Sequence, residues 1–132
     1  MMLLDTNVCI AVLNGSPRSV IDRLRTHQPS ELRLCSVVKA ELLYGARRSA
    51  RAAQNLRHLA DFFDALVSLP FDDVCAERHA AIREELARRG SSIGPHDLLI
   101  AATAVTHDLE LVTHNVAEFS RVMGLRIVDW EA

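Results

Sequence analysis

The 132-residue chain has few aromatic residues: four Phe, one Tyr and one Trp. Its core must therefore be built mainly from Leu, Val, Ile and Ala. The three cysteines, Cys9, Cys35 and Cys75, are odd in number and widely spaced, with no C-x-x-C pair. That pattern argues against a disulfide framework or a zinc site and favours a reducing compartment, each thiol being a small buried hydrophobe. No stretch reaches the roughly 18 apolar residues that a membrane-spanning helix needs. The first residues, Met1-Met2-Leu3-Leu4-Asp5, meet a charge at once and lack a basic segment before an apolar run. No signal peptide is expected, and a cytoplasmic protein is. A large charge of one sign is also missing. The net charge is −2, so no global field draws in a polyanion, although local charge can differ. The phosphate-cradling G-x-x-x-x-G-K-[ST] and G-x-G-x-x-G loops are absent, as are a G-x-S-x-G elbow and H-E-x-x-H.

What is present is an alternation of short apolar runs and helical patterns. Leu3-Leu4, ending at Asp5, reads as a first strand. Asp5 or Thr6 then caps a helix that Asn14-Gly15 stops. Ser16-Pro17 signals a second helix, with Ser as cap and Pro at the first position. A second strand is expected over 32–35 and a helix over 37–48, capped by Ser36. Apolar spacing predicts another helix over 50–66, a short strand over 67–69, and an amphipathic helix over 72–89 with Gly90 at its end. Pro95 opens a helix to about 107, apolar nearly all round from Leu98 to Val105 and hence central. Strand 111–113, a short helix over 115–122 and a last strand within 126–130 complete the chain. The pattern predicts one α/β domain spanning 1–132, with a short, mainly parallel sheet and helices on both faces.

In such sheets ligands bind beyond the carboxyl ends of the strands. The polar residues there are Asp5, Thr6 and Asn7 after the first strand and Ser36, then Glu41, after the second. Thr113, His114 and Asn115 follow the fourth, and Asp97 begins the buried helix. Each acid has a structural explanation when taken alone. Asp5 is a good helix cap, and Asp97 suits the first turn of a helix. Glu41 shares a stripe with Val37, Val38 and Tyr44, where an Arg partner would satisfy it. Three carboxylates converging at about 5 Å would repel by roughly 3 kcal/mol per pair at an effective dielectric near 20. Lys39 is the only cation beside any of them in sequence. A divalent cation would relieve that repulsion, and an all-oxygen donor set suits Mg²⁺ or Mn²⁺. His96 and His114 flank these positions and could touch phosphate. A haloacid-dehalogenase-like phosphohydrolase also starts with an Asp after its first strand, but it needs a second Asp where Asn7 stands.

The ordered blocks Leu3-Leu4-Asp5-Thr6-Asn7, Ser36-Val37-Val38-Lys39-Ala40-Glu41-Leu42-Leu43-Tyr44-Gly45, Ile93-Gly94-Pro95-His96-Asp97-Leu98-Leu99-Ile100-Ala101-Ala102, Leu111-Val112-Thr113-His114-Asn115-Val116-Ala117-Glu118-Phe119 and Gly124-Leu125-Arg126-Ile127-Val128-Asp129-Trp130 span almost the whole chain. In this order they resemble a PIN-domain ribonuclease, specifically the VapC toxins of bacterial type II toxin–antitoxin pairs. The resemblance implies a PIN-like three-layer sandwich and a Mg²⁺-dependent endoribonuclease, with Mn²⁺ as a possible substitute. Asp5, Glu41 and Asp97 match the family's acidic metal ligands. Thr6, Asn7, Thr113 and Asn115 would contact those ligands or the phosphate. Many PIN nucleases carry a further Asp at the position of Asn115, so one firmly held ion is expected here. The implied partners are RNA, a small VapB-type antitoxin seated against the helices over 6–13 and 50–66, and a second copy of the chain. Arg47, Arg48 and Arg51 could contact RNA or the antitoxin. A catalytically silent PIN-fold binding module and a different metal-dependent phosphohydrolase are the alternatives.

Overall fold

The computed structural model describes residues 1–132. Five strands, β1 (Met2–Leu4), β2 (Leu32–Cys35), β3 (Val67–Leu69), β4 (Glu110–Val112) and β5 (Ile127–Val128), form one sheet in the order β3-β2-β1-β4-β5. Every neighbouring pair is parallel. β1 is central, with Leu3 opposite Arg33 on one side and Leu111 on the other. Leu3, Leu4, Leu34, Leu111 and Val112 are wholly buried, and such runs mark strands covered on both faces.

The connections are helical. α1 (Thr6–Asn14) and α2 (Arg18–Leu24) link β1 to β2, and α3 (Ser36–Arg47) and α4 (Ala52–Ala65) link β2 to β3. α5 (Asp73–Arg88) and α6 (Pro95–Thr106) return the chain to β4, and the short α7 (Val116–Phe119) leads to β5. Right-handed crossovers put the first two connections on one face and the third, running back across the sheet, on the other. Small residues let α6 pack closely: Ala101, Ala102 and Ala104 are fully buried beside Ile100. Thr103, also buried, satisfies its hydroxyl by donating to Leu99 O at 2.9 Å. Pro95 stands at the start of this helix, where its missing N–H costs nothing. No helix is long and apolar enough to cross a membrane.

The helix boundaries differ from expectation where side chains find other partners. Ser36 is the first residue of α3, not its cap; its hydroxyl reaches Leu69 O at 3.5 Å while Cys35 occupies the cap position. Ser16 does not cap α2 either, because Pro17 takes that position. Arg89 caps the C-terminus of α5, and Gly90 follows with φ 68°, the left-handed turn that glycine adopts without strain. The last helix and strand are shorter than their sequence patterns. β5 has only Leu111 and Val112 to pair with.

Leu34 lies in β2, between β1 and β3, with no exposed surface. Leu34→Ala is expected to cost about 2–5 kcal/mol, read as a lowered urea midpoint with an unchanged slope.

Candidate active site

The strand order reverses direction between β1 and β4, so a crevice opens beyond their carboxyl ends. Asp5 is the first residue past β1. Its backbone N–H donates to Val112 O at 3.0 Å, continuing the ladder by one step. One side-chain oxygen accepts the Thr6 N–H at 2.8 Å and caps α1. The other accepts the Thr113 hydroxyl at 2.7 Å. A single carboxylate is thus both a helix cap and part of the crevice, so the two readings of Asp5 do not compete. Asp5 is only 5% exposed, and burial pushes its carboxyl pKa up. The Thr113 and Thr6 hydrogen bonds oppose that rise, while the charges of Glu41 and Glu118 add to it.

Glu41 comes from α3, between the buried Val38 and Leu42. It has no arginine partner. Its Oε1 accepts the Thr6 hydroxyl at 3.0 Å, which ties it to the residue that Asp5 caps. Lys39, its neighbour in sequence, points elsewhere and sits over the Phe63 ring at 4.8 Å from the centroid. His96 is the one basic side chain within ion-pair range of the acids here, with Nδ1 3.7 Å from Glu41 Oε2.

Asp97 lies in the first turn of α6, and its carboxyl pKa is raised to about 7. Burial contributes most, followed by a hydrogen bond and charge from Glu118, then the charges of Asp5 and Glu41. Glu118, on α7, is a fourth carboxylate to which the sequence reading gave no role. Its Oε1 accepts the Gly94 N–H, and its Oε2 accepts the Asn115 side-chain amide at 2.6 Å. The Gly94 N–H is the main cause of its lowered pKa. With two donors anchoring its charge, Glu118 stays ionised and the shared proton sits on Asp97. A side chain at Gly94 would press on both acids: a Cβ there would stand 3.4 Å from Glu118 Oε1 and 3.5 Å from Asp97 Oδ2. The signal for Glu118 was an acid three residues beyond Asn115 in a helical segment, the spacing at which side chains meet. The amide at position 115 therefore does not leave the strand end without a carboxylate; it orients one from the next turn.

Thr113 is fully buried and links these parts, since its oxygen also accepts the Asn115 N–H at 3.0 Å. Asn7 is exposed and makes no side-chain hydrogen bond. Arg47, Arg48 and Arg51 are exposed around the α3–α4 turn, away from any acid; Arg48 lies against the Tyr44 ring at 5.5 Å. His114 is turned from the acids toward Asp129 and Glu131.

A polar cleft of about 280 Å³, lined by Glu41, Gly94, Pro95, His96 and Asp97, opens over the acids. No three of Asp5, Glu41, Asp97 and Glu118 bring ligand oxygens within 4.8 Å of one another. The four carboxylates offer oxygen donors, none pairs with Lys or Arg, and their mutual charge raises two of the four pKa values. Such a set fits a hard divalent cation. Mg²⁺ commonly keeps several waters and takes only one or two carboxylates directly, which suits the open spacing.

The family described as "PIN domain" matches residues 2–125. This chain belongs to the PIN-domain family. Among curated relatives, the PIN chain is 40% identical to the tRNA(fMet)-specific endonuclease VapC of Shigella flexneri, covering 97% of this chain and 96% of that protein. It is 35% identical to ribonuclease VapC2 of Rickettsia felis, over 98% of this chain and 97% of the relative. Among solved structures, a chain of DNA-bound VapBC from Salmonella typhimurium superposes with a TM-score of 0.91 at 36% identity, covering 98% of this chain and 97% of that one.

The Asp97 pKa in this PIN domain predicts a pH dependence of the metal-free protein. Between 3.8 and about 7 the folded state holds a proton that the unfolded chain has released. Stability therefore falls as pH rises through that window. Urea midpoints measured across it should decline, and Asp97→Asn should flatten the decline.

Proposed function

We propose that this protein is the toxin of a type II toxin–antitoxin pair, a cytoplasmic Mg²⁺-dependent endoribonuclease in which Mn²⁺ can substitute. The observation that carries this reading is the set of four carboxylates, Asp5, Glu41, Asp97 and Glu118, linked by hydrogen bonds and mutual charge around the crevice beyond β1 and β4, with no Lys or Arg paired to any of them. The family and the relatives named as ribonucleases support it.

A divalent cation, when bound, lowers the pKa of a water and offsets charge on the phosphorane-like transition state. Asp5 and Asp97 would hold it directly. Asp5 is pre-aimed, because Thr6 and Thr113 fix both of its oxygens. Asp97 must first give up the proton that Glu118 helps it keep. Glu118 stays charged and adds to the negative potential of the cleft. Glu41, steadied through Oε1 by Thr6, orients the attacking water with its other oxygen. Water, rather than a ribose 2′-hydroxyl, is the nucleophile, so the products carry a 5′-phosphate and a 3′-hydroxyl. Arg47, Arg48 and Arg51 are free to meet RNA phosphates or an acidic antitoxin segment.

Beside the cleft runs an apolar groove of about 460 Å³ between α1 and α4, lined by Ile10, Leu13, Leu42 and Leu59 and reaching Glu41. Ile10 and Leu13 are partly exposed there, 40% and 38%. It suits an apolar segment of a VapB-type antitoxin whose chain continues over the acids. A homodimer is the expected state of the toxin.

Purified protein should cleave cellular RNA with Mg²⁺ and not with chelator. Asp5→Asn and Asp97→Asn should lower the rate by at least about a hundredfold, the scale of losing a preorganised electrostatic group. Thr113→Val should lower activity or metal affinity by about 10–100-fold, because it removes the donor that aims Asp5. Cleavage that persists in chelator with both Asp variants would refute the metal–carboxylate mechanism. Ile10→Asp should abolish co-purification with the antitoxin encoded beside it while leaving RNA cleavage intact, as measured by pull-down and the same cleavage assay.

A further inference from the structure

A second group of potential metal ligands lies outside the carboxylate cleft. His114 follows β4, and Asp129 and Glu131 follow β5. One ligand atom from each lies within 4.8 Å of the others, which is not true of any three acids in the cleft. His114 Nδ1 is 3.1 Å from Asp129 Oδ2 and 3.6 Å from Glu131 Oε2. Neither carboxylate pairs with a Lys or Arg; the imidazole is the only basic group either one meets.

The backbone holds the three in place. The Thr113 N–H donates to Val128 O at 3.0 Å, so the residues just before His114 and Asp129 are joined across the sheet. The Glu131 N–H donates to Asp129 Oδ1 at 2.9 Å, which closes the turn carrying both acids. Asp129 is mostly buried, with its side chain 18% exposed, so it loses little freedom on binding. A neutral imidazole with two carboxylates is a three-ligand set that leaves positions open for water. Its imidazole lies within ligand distance of both carboxylates, and imidazole favours Zn²⁺, Ni²⁺ or Cu²⁺ over Mg²⁺.

We propose that His114, Asp129 and Glu131 form a second cation site, which takes a divalent transition-metal ion such as Zn²⁺ or Ni²⁺ and clamps the chain after β5 to the loop after β4. That loop carries Thr113, so the clamp borders the residue that aims Asp5. The inference does not require RNA cleavage and stands apart from it.

The chain reports on this site itself. Its single tryptophan, Trp130, lies between the two acids and is buried. Ni²⁺, an efficient fluorescence quencher, should be titrated into the full-length protein with excess Mg²⁺ present to occupy the oxygen cleft. Saturable quenching of Trp130 by one ion per chain, and a higher melting temperature, are expected for the wild type and for Asp97→Asn. His114→Asn and Asp129→Asn should weaken binding by about tenfold or more and abolish the rise in melting temperature. Asn at 129 keeps the acceptor for the Glu131 N–H, so the turn is retained. Unchanged quenching in His114→Asn, loss of quenching in Asp97→Asn instead, or no saturable quenching in the wild type would overturn the proposal.

Discussion

The Asp5–Thr113 hydrogen bond joins the two halves of this protein. One partner ends the central strand and the other follows its neighbour, 108 residues later in sequence. At the reversal of strand order no connection bridges β1 and β4 directly, so side chains and the parallel ladder must hold the crevice edges. A carboxylate only 5% exposed would be costly if left without donors. Thr113 supplies one at the far side and Thr6 another at the near side, where the same bond caps α1. The acid can stay where a cation would need it because the fold has already given it hydrogen bonds. Thr6 passes the constraint to α3 through Glu41, and Thr113 passes it to Asn115 and then Glu118. Asp5, Glu41 and Glu118 are thus positioned through neutral donors rather than through Lys or Arg.

That choice has an electrostatic consequence. A cluster neutralised by arginine would be stable but closed to a cation. Here the excess charge is relieved by a proton on Asp97, whose pKa is raised to about 7. Glu118 is held ionised by the Gly94 N–H and the Asn115 amide, so the two acids divide one proton unequally. A proton is a weak substitute for a divalent ion and is easily displaced near neutral pH. The stability given up in the metal-free state therefore becomes affinity for metal once the ion arrives, the usual linkage between folding and binding.

Much of this was legible in the sequence. The short segments at 3–4, 32–35 and 111–112 read as covered strands, which makes the polar residues after them candidates to line the crevice. Asp5 and Glu41 stood out for that reason and Asp97 as an acid opening a buried helix, and the ordered family blocks suggested one role for all three. Glu118 was harder to see. It follows no strand directly, and it lies in a helix of only four residues where an acid has many ordinary explanations. Its importance comes from Gly94, 24 residues earlier, whose N–H it accepts; nothing in local spacing reports that contact. At Ser16 and Ser36 a residue type suited to capping is not sufficient to make a cap. At position 36 the Leu69 carbonyl on the next strand offered the hydroxyl another partner, and at 16 the chain turned one residue later.

The same limit explains why His114 looked like a phosphate contact. Its sequence neighbours Thr113 and Asn115 both turn into the cleft, which made the histidine look like a third member. Alternation at a strand end argues the opposite: successive side chains leave on opposite sides. Thr113 goes inward to Asp5, so His114 must go outward, and the side it faces is the one where β5 ends. Asp129 and Glu131 wait there, brought together by the turn that the Glu131 N–H closes onto Asp129. Two acidic surfaces with different donor chemistry therefore lie back to back across a single peptide segment. A carboxylate cleft for a hard cation and an imidazole-containing group for a softer one thus lie beside the same strand end, Thr113 joining the first and His114 the second.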